Sequence, residues 1–307
     1  MQEAVVSRTA LFTSLIRAIH ARCDPLPVFN DPWGDKLVPQ VVVDAIRQRA
    51  LLAQGLPPDS SNALPFLVED FVRTNAGYAG TVTRSRYTED ALAAALARGV
   101  RQYVLIGAGL DSYALRHANG NPELHIFEVD HPATQSFKLG KIKELGVTLP
   151  ATVHFVAADL SKEGLTDALA RSAFKRDQLA FFSWLGVSMY LTPEANVAAL
   201  SAMANGAAAG SEIVFTYLNE EVFDSRKAPA SARFAELQRT VAEVGEPFLS
   251  GFDPNALPQL LATIGLHLIE DFADSQLVAR YDPKDANGLR PSSHSHVARA
   301  SLGRKSR

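Results

Sequence analysis

Short runs of apolar residues alternate with helix-like segments between residues 100 and 218. Runs that are apolar at every position, rather than at every second one, are typical of parallel strands that are covered on both faces. The five predicted strands lie at Tyr103–Ile106, Leu124–Val129, Val153–Leu160, Leu179–Val187 and Glu212–Leu218. Together with a helix predicted at Pro193–Asn205, this alternation indicates an α/β fold around a mostly parallel sheet.

Two more apolar runs, Ile264–Glu270 and His296–Ser301, follow in residues 259–307. The stretch between them is polar, contains Pro and Gly, and gives no convincing helix pattern, whereas parallel neighbours need a long crossover. We therefore predict that the two runs form an antiparallel pair that closes a seven-stranded sheet.

The first region outside this core is residues 1–99, which is predicted to form a helical cover within a single 307-residue domain. Leu11, Leu15 and Ile16 have helical spacing, and Ser7 is placed to begin that helix. Because this region precedes the first strand, it is not needed for the sheet. We expect it to contribute to a substrate pocket.

The second region is an insertion at residues 219–258, between the fifth and sixth strands. Within it, Ser231–Val244 is predicted to be an amphipathic helix with Phe234, Leu237 and Val241 on one face. An insertion after the fifth strand emerges at the carboxyl ends of the strands, where open α/β sheets bind ligands. It is therefore predicted to be a lid, and simple packing against the sheet is the alternative.

A Gly-x-Gly turn follows the first predicted strand directly. Gly107 and Gly109 let the backbone turn sharply and approach a ligand with no side chain in between, and Asp111 then leads into a helix. The third small residue of a dinucleotide loop is missing, which favours a ligand without phosphates. The three residues are therefore candidate cofactor-binding residues, although an ordinary tight turn is an equally good interpretation of this motif alone.

The next two predicted strands end in acidic residues. Asp130 comes 23 positions after Gly107, a separation that allows one crossover helix to return the chain to a neighbouring parallel strand. Asp130, or alternatively Glu128, is placed to accept hydrogen bonds from a ribose. Asp159 is placed to accept from the exocyclic amine of an adenine, and Leu160 to pack on its ring. The alternative is that these acids are solvated strand ends.

Five segments together carry a resemblance to a known family. They are Arg84–Arg86, Gly107–Ser112, Phe127–Pro132 followed by Lys138, Ala158–Leu160 and Ser183–Thr192. These segments resemble those of the S-adenosylmethionine-dependent methyltransferases of the leucine carboxyl methyltransferase family, and the resemblance covers most of the chain. It implies a Rossmann-like class I methyltransferase fold with an antiparallel last strand, and S-adenosylmethionine as cofactor with S-adenosylhomocysteine as product.

The resemblance also implies roles for individual residues. The residues implied to contact the nucleoside and methionine parts of the cofactor are Gly107, Asp130, Asp159 and Leu160. Arg84 is implied to bind the cofactor carboxylate. One position departs from the family pattern, because Leu185 stands where many members have a glutamate. A polar contact to the methionine amino group is therefore absent or supplied by another residue.

Charge and composition exclude several classes of partner and site. The formal net charge is -3, with 30 basic and 33 acidic residues, and lacks the positive excess of a nucleic-acid binder. Cys23 is the single cysteine, so neither an intramolecular disulfide nor a thiolate zinc cluster is expected. The start of the chain has no signal-peptide pattern, and the uncharged apolar stretch Gln178–Pro193 is too short for a membrane span. We expect a cytoplasmic protein without a metal that acts on a small molecule.

The expected chemistry follows from the cofactor, whose sulfonium methyl group is attacked in line by a nucleophile. A carboxylate acceptor is already ionised near neutral pH and needs no general base, whereas a phenol would benefit from one. His20, His131 and His154 are the candidate bases, and a structural role is at least as good an interpretation of each. Tyr190 is a candidate for orienting the acceptor, or else a buried aromatic residue whose hydroxyl is hydrogen-bonded elsewhere.

The prediction is therefore an O-methyltransferase that acts on a carboxylate, or less favourably a hydroxyl, of a small and polyketide-like molecule. Two alternatives from other classes remain at this stage. One is an NAD-dependent oxidoreductase, which shares the strand and glycine pattern but would need the third glycine. The other is a non-catalytic protein that binds S-adenosylmethionine, which Leu185 keeps open.

Overall fold

The structure is a computed structural model that describes residues 6–57, 60, 66–118, 120–224, 232–243 and 245–303. The seven strands are β1 (Gln102–Ile106), β2 (His125–Asp130), β3 (Val153–Ala157), β4 (Ala180–Trp184), β5 (Glu212–Leu218), β6 (Leu266–Ala273) and β7 (Ser295–Leu302). The α-helices of the described residues are α1 (Arg8–Cys23), α2 (Gly34–Leu37), α3 (Gln40–Ala53), α4 (Leu67–Arg73), α5 (Tyr78–Ala97), α6 (Tyr113–Arg116), α7 (Pro132–Glu144), α8 (Leu165–Ala170), α9 (Pro193–Gly206), α10 (Ala232–Glu243), α11 (Leu257–Thr263) and α12 (Asp274–Tyr281).

The strands form one sheet in the order β3-β2-β1-β4-β5-β7-β6. The first five strands are parallel, while β7 runs antiparallel to both of its neighbours, β5 and β6. This arrangement confirms the predicted α/β fold with an antiparallel last strand. The carboxyl ends of β1 to β5 therefore meet at one edge of the sheet, which is where such folds bind their ligands.

The central strands are buried on both faces, as their continuous apolar runs predict. All five residues of β1 and β4 and all seven of β5 are buried. On one face Val104, Phe127, Phe182 and Phe215 belong to a single apolar cluster, and none of these four side chains is exposed. Burial on both faces is typical of parallel strands that helices cover from both sides.

Four strand boundaries differ from the sequence prediction by two residues or more, and one of them is the end of β6, which lies at Ala273 rather than at Glu270. The third predicted run continues to Leu160, but β3 ends at Ala157 because the chain there turns around the Asp159 side chain. The fourth ends at Trp184 because Gly186 takes a positive φ of 69°. The sixth starts at Leu266, two residues later than predicted, since Ile264 and Gly265 still belong to the end of α11 and its turn.

The region between the last two strands contains a helix that the prediction leaves out. Helix α12 begins directly after β6, and its Leu277 is fully buried. The backbone N–H of Ala273 donates to the Gln276 side chain at 2.8 Å, which holds the first turn. No Gly or Pro separates β6 from α12, so the sequence gives no sign of a boundary there.

Helix α1 forms where the apolar spacing predicts it. Ser7 caps its N-terminus, since the Ser7 hydroxyl oxygen accepts from the Ala10 backbone N–H at 3.1 Å. Leu15, Ile16 and Ile19 are buried against α3, α4 and α5 in the N-terminal cover. None of the described helices combines the length and apolarity that crossing a membrane requires.

The insertion after β5 contains α10. Phe234 and Val241 are buried and Leu237 is half-buried, so the predicted apolar face is present. The two ends of the predicted helix, Ser231 and Val244, lie outside the described residues.

Candidate functional site

The glycine turn after β1 is held tightly by its surroundings. Gly107 and Gly109 have φ angles of 65° and 53°, a region that favours glycine. A Cβ atom at Gly107 would lie 2.6 Å from Val187 Cγ2, and one at Gly109 would lie 3.1 Å from Ala10 Cβ. The turn therefore packs between the segment after β4 and helix α1. Asp111, the third predicted residue of this loop, accepts from the Tyr113 N–H at 2.7 Å and so leads into α6.

Asp130 lies at the end of β2, beside the glycine turn. Its carboxylate accepts from the Gly109 backbone N–H and, at 2.6 Å, from that of His131. Burial raises the pKa of Asp130 above its usual value, and these two donors oppose that shift. A carboxylate has about four acceptor positions, so lone pairs remain for the hydroxyls of a ribose.

Glu128, the alternative ribose acceptor, is placed differently. Its side chain is buried and forms an ion pair with Lys138 of α7, which is also buried. Burial raises the pKa of Glu128, and Lys138 opposes the shift. Because Glu128 is already engaged inside the protein, Asp130 is the better placed of the two for a ligand at the strand ends.

Asp159 follows β3 and lies near the Asp130 loop. Its carboxylate accepts from the Ser161 hydroxyl at 2.6 Å and from the Lys162 ammonium at 3.1 Å, and His131 Nε2 lies 3.8 Å away. The Ser161 hydrogen bond is the main cause that lowers the pKa of Asp159 to about 2. Leu160 is 40% exposed, so its side chain is available to pack on a ligand. The acidic ends of β2 and β3 are therefore neighbours.

Arg84 lies on α5 and reaches the turn after β4. Gly186 makes room for it, because a Cβ atom there would lie 2.9 Å from an Arg84 Nη atom. The guanidinium makes no hydrogen bond or ion pair with the described residues. Burial lowers the pKa of Arg84 to about 10, while Tyr190 and Asp274 act in the opposite direction. Arg84 is thus a desolvated cation that is still protonated at neutral pH and has an unused set of donors.

A cavity of about 1670 Å³ opens beside Arg84. It lies between α1, α3, α5 and α10 and reaches the carboxyl ends of β4 and β5. Apolar side chains from three of these helices line it, among them Phe12, Ile16, Val42, Ile46 and Phe234. Typical small-molecule sites measure about 300–1000 Å³, so the space suffices for more than one ligand group.

The predicted site residues divide between two places. Arg84 and Tyr190 line the cavity, whereas the predicted residues at the ends of β1, β2 and β3 do not. The reason is that Val187 and Ala10 fill the space beside Gly107 and Gly109. The structure therefore brings the strand-end acids together around the glycine turn, and separately brings Arg84 and Tyr190 together at the cavity.

Tyr190 ends a short 3-10 helix, Ser188–Tyr190, that follows β4. Burial raises the pKa of Tyr190 to about 12, and a hydrogen bond with the Thr9 side chain opposes the shift. The Thr9 hydroxyl in turn donates to the Glu246 carboxylate. The sequence gives no signal for Thr9 or Glu246, because each is far from Tyr190 along the chain and neither belongs to a motif.

The three histidines proposed as bases have structural roles. His131 caps α7 by accepting from the Ala133 N–H at 3.3 Å. His20 is fully buried between the Asp24 carboxylate, 2.5 Å from Nδ1, and the Val28 N–H, 2.9 Å from Nε2. His154 stacks on Phe127 with a 4.7 Å centroid separation.

Several other titratable residues line the cavity, and two of them come from the C-terminal strand pair and the helix between its strands. His296 of β7 and Asp274 of α12 both belong to its lining. Neither was singled out from the sequence, because His296 lies inside a strand pattern and Asp274 starts the helix that was not predicted. Leu185, in contrast, packs half-buried against an apolar cluster that includes Tyr103 and Phe181.

Comparison with known proteins gives matches along most of the chain. The leucine carboxyl methyltransferase family matches residues 10–204. The Bacillus subtilis (strain 168) protein named "Putative S-adenosyl-L-methionine-dependent methyltransferase YktD" is 32% identical over 286 residues, which cover 90% of this chain and 91% of that protein. A Mycolicibacterium gilvum (strain PYR-GCK) protein of the same description is 33% identical over 232 residues, 73% of this chain and 70% of that protein.

The fold also matches a solved structure. A DUF574 family protein from Streptomyces avermitilis MA-4680 has a TM-score of 0.57, and the match covers 97% of this chain and 98% of that one. The two sequences are 14% identical, so the likeness concerns the fold alone.

Proposed function

This chain belongs to the leucine carboxyl methyltransferase family, and from that premise we propose that it methylates an oxygen atom, in first place a carboxylate oxygen, of a small molecule. The family match confirms two predictions from the sequence, the family itself and S-adenosylmethionine as its cofactor. It also decides against the nicotinamide-dependent oxidoreductase. The acceptor atom and the acceptor itself are the parts that we propose.

The chemistry of the residues at the two places suits the two ends of this cofactor, and Val187 and Ala10, which pack between the two places, have to shift for one molecule to reach both. Asp130 and Asp159 are proposed to hold the nucleoside beside the turn at Gly107, and Arg84 to hold the carboxylate of the methionine part. When bound, S-adenosylmethionine supplies an electrophilic methyl group on a positively charged sulfur. The protein mainly has to orient the acceptor oxygen towards that group and to exclude water.

The observation that carries the proposal is that Arg84 and Tyr190 line the same cavity. Arg84 has no hydrogen-bond or ion-pair partner among the described residues, so its donors are available to the cofactor carboxylate. The acceptor then meets the other cations of the cavity lining, among them Arg8 and Arg49, and these favour an anionic group over a neutral one. A carboxylate acceptor fits because it is ionised near neutral pH and needs no base. We propose that Tyr190 orients it.

The walls of the cavity support an apolar acceptor body. Phe12 and Ile16 lie on one face of α1, and Val42 and Ile46 on one face of α3, and all four line the cavity. An acceptor with a polyketide-like carbon skeleton would bury its apolar surface there. The proposed setting is secondary metabolism, which such a carbon skeleton suggests, in the cytoplasm, where a single cysteine such as Cys23 stays reduced.

A hydroxyl acceptor is the second candidate, and one contact favours it. The Thr9 hydroxyl donates to the Glu246 carboxylate, and the Tyr190 phenol lies close enough to the Thr9 side chain for Thr9 to lower its pKa, so the three groups form a series that begins at the cavity. A hydroxyl must lose its proton when its oxygen is methylated. This series would pass that proton from the acceptor to Glu246, through Tyr190 and Thr9.

The test is a transfer assay with S-adenosylmethionine labelled in the methyl group and a panel of apolar carboxylic acids, each matched with a phenol and an amine of similar skeleton. Mild alkali releases label from a methyl ester as methanol, but leaves an ether or an N-methyl product intact. We expect label on the acids that alkali removes. Label that alkali does not remove would overturn carboxyl methylation.

Two variants separate the candidates. Glu246→Gln and Thr9→Val should leave carboxyl methylation within about twofold, since a carboxylate has no proton to lose, but lower hydroxyl methylation by roughly 100-fold or more. Binding of S-adenosylhomocysteine without transfer to any acceptor of the panel would favour the non-catalytic alternative.

A further inference from the structure

Asp274 is a buried carboxylate that faces the cavity. It is the first residue of α12 and is 2% exposed. One oxygen accepts from the Ser292 backbone N–H at 2.7 Å, and the other accepts from the Thr83 hydroxyl at 3.3 Å. Each carboxylate oxygen has room for a further donor. Asp274 also belongs to the cavity lining.

The Asp274 carboxylate lies on the same face of α5 as Arg84. A Cβ atom at Gly80 would lie 3.2 Å from both Asp274 oxygens, and Arg84 follows Gly80 by one helical turn, or about 5–6 Å. Asp274 and Arg84 attract each other, yet no hydrogen bond or salt bridge joins them. The two opposite charges therefore line one cavity side by side without neutralising each other by contact.

Such a pair is complementary to a zwitterion. The methionine part of S-adenosylmethionine carries an ammonium and a carboxylate on the same carbon atom, and each group needs a partner of opposite charge once it leaves water. We propose that Asp274 binds the α-ammonium of the cofactor, beside the carboxylate held by Arg84. This inference rests on the cofactor and is independent of which acceptor atom is methylated.

The packing of Leu185 agrees with this assignment. Leu185 lies among apolar side chains and offers no acceptor to an ammonium group. Asp274 lines the cavity that Arg84 also lines, and it belongs to α12, a different element from the one that carries Leu185. The competing explanation is that Asp274 only fastens the segment around Ser292 to α5. That role would not depend on which groups a ligand carries.

Four ligands distinguish a role of Asp274 in ligand binding from a purely structural role. S-adenosylhomocysteine has both charges, and 5'-methylthioadenosine has neither. The 3-aminopropylthio analogue of adenosine keeps the ammonium alone, and the 3-carboxypropylthio analogue keeps the carboxylate alone. Calorimetric titration of Asp274→Asn should show roughly 10- to 100-fold weaker binding of the two ligands with an ammonium, and a change below about twofold for the other two.

The control variant is Asp282→Asn, at the other end of α12. Asp282 is buried and accepts from the backbone N–H groups of Ala286, at 2.8 Å, and Asn287, at 3.1 Å, but it does not line the cavity. It should not discriminate between the ligands. Equal losses for all four ligands in Asp274→Asn, or no loss for any, would overturn the inference.

The wild-type protein gives an independent check should Asp274→Asn fold poorly. It should bind the aminopropyl analogue at least roughly tenfold more tightly than 5'-methylthioadenosine. Equal affinity for these two ligands would also overturn the inference. No binding of S-adenosylhomocysteine at all would instead overturn the cofactor.

Discussion

The strand-end region and the cavity region treat their charges in opposite ways. At the strand ends, Asp159 is surrounded by donors that lower its pKa to about 2. At the cavity, burial lowers the pKa of Arg84 to about 10 and raises that of Asp274 to about 6. Asp159 is thus satisfied by neighbouring protein donors, and Asp130 is partly satisfied by two backbone N–H groups, whereas Arg84 makes no hydrogen bond or ion pair with the described residues. The strand ends are therefore arranged before any ligand binds, and the cavity distinguishes ligands by their charged groups.

The largest expected effect is on the free energy of unfolding, and it comes from the contact that joins the N-terminal cover to the strand ends. Arg17 of α1 forms a buried ion pair with Asp31 at 2.8 Å and donates to the Leu110 carbonyl of the glycine turn at 2.7 Å. Arg17→Met should lower the free energy of unfolding by about 3–5 kcal/mol, because Asp31 is left buried and unpaired. It should also weaken binding of S-adenosylhomocysteine. Chemical denaturation and calorimetry measure the two effects.

Its controls use the same helix. Arg22→Met removes an exposed pair with Asp35 and Glu69 and should cost about 1 kcal/mol or less. The double variant Arg17→Met with Asp31→Asn should regain part of the loss. A loss of the same size in the Arg22 variant would contradict a special role for Arg17.

A somewhat smaller effect is expected at the glycine turn. Gly107→Ala places a side chain at a positive φ and 2.6 Å from Val187. Strain and overpacking together should cost about 2–4 kcal/mol of stability. Gly99→Ala is the matched control, since Gly99 has a φ of 99° but nothing within 4 Å of its Cβ position. Equal melting temperatures for the two variants would show that packing at the turn is loose.

The raised pKa of Asp274 should make the free energy of unfolding depend on pH. Because burial raises its pKa from 3.8 to about 6, the folded state holds a proton that the unfolded state has lost between these values. Binding of this proton stabilises the folded state. Its contribution to the free energy of unfolding is therefore fully present below about pH 4 and is lost as the pH rises through about 6. The change should amount to about 1–3 kcal/mol.

The groups that face Asp274 are Arg84 of α5 and His296 of β7, with the donors Thr83 and Ser292. Denaturation curves between pH 4 and 7 should therefore fall more steeply in the wild type than in Asp274→Asn, since Asp130 and Glu128, whose pKa values burial also raises, contribute equally to both proteins. Saturating S-adenosylhomocysteine should flatten the slope, since an ammonium group stabilises the ionised carboxylate. A slope that is the same in both proteins would assign the effect to another group.

The smallest expected effect concerns the proposed lid. Helix α10 covers one side of the cavity through Phe234 and Leu237. Hydrogen exchange across residues 232–243 should slow by roughly two- to fivefold when S-adenosylhomocysteine is bound. Helix α8, whose residues do not line the cavity, is the control. Exchange in α10 that is already slow and indifferent to the ligand would indicate fixed packing.

Much of the strand-end region could be predicted from the sequence because its information is local. A buried strand, two glycines and an acid at the next strand end follow one another within 30 residues, and parallel strands bring such ends together. The Asp130 contact with Gly109 is a direct consequence of that topology.

The cavity region could be predicted only in part. Arg84 and Tyr190 were found through the family resemblance, whereas Thr9, Glu246, Asp274 and His296 come from four distant segments with no shared motif. Their proximity depends on how α1, α10 and α12 pack, and apolar periodicity does not specify which polar residue faces inward. For the same reason the sequence leaves His131 and His20 open between a base and a structural role, and in the structure they bind their own helix or loop.

The most direct test of the two-part site compares S-adenosylhomocysteine with 5'-methylthioadenosine in Asp130→Ala and Arg84→Ala. Both ligands contain the nucleoside, so Asp130→Ala should weaken both by about 1.5–3 kcal/mol. Arg84→Ala should weaken S-adenosylhomocysteine by a similar amount and leave 5'-methylthioadenosine nearly unchanged, and Arg86→Ala, an exposed neighbour on α5, should affect neither. Equal losses for both ligands in Arg84→Ala, with the fold intact by circular dichroism, would contradict the division of the site.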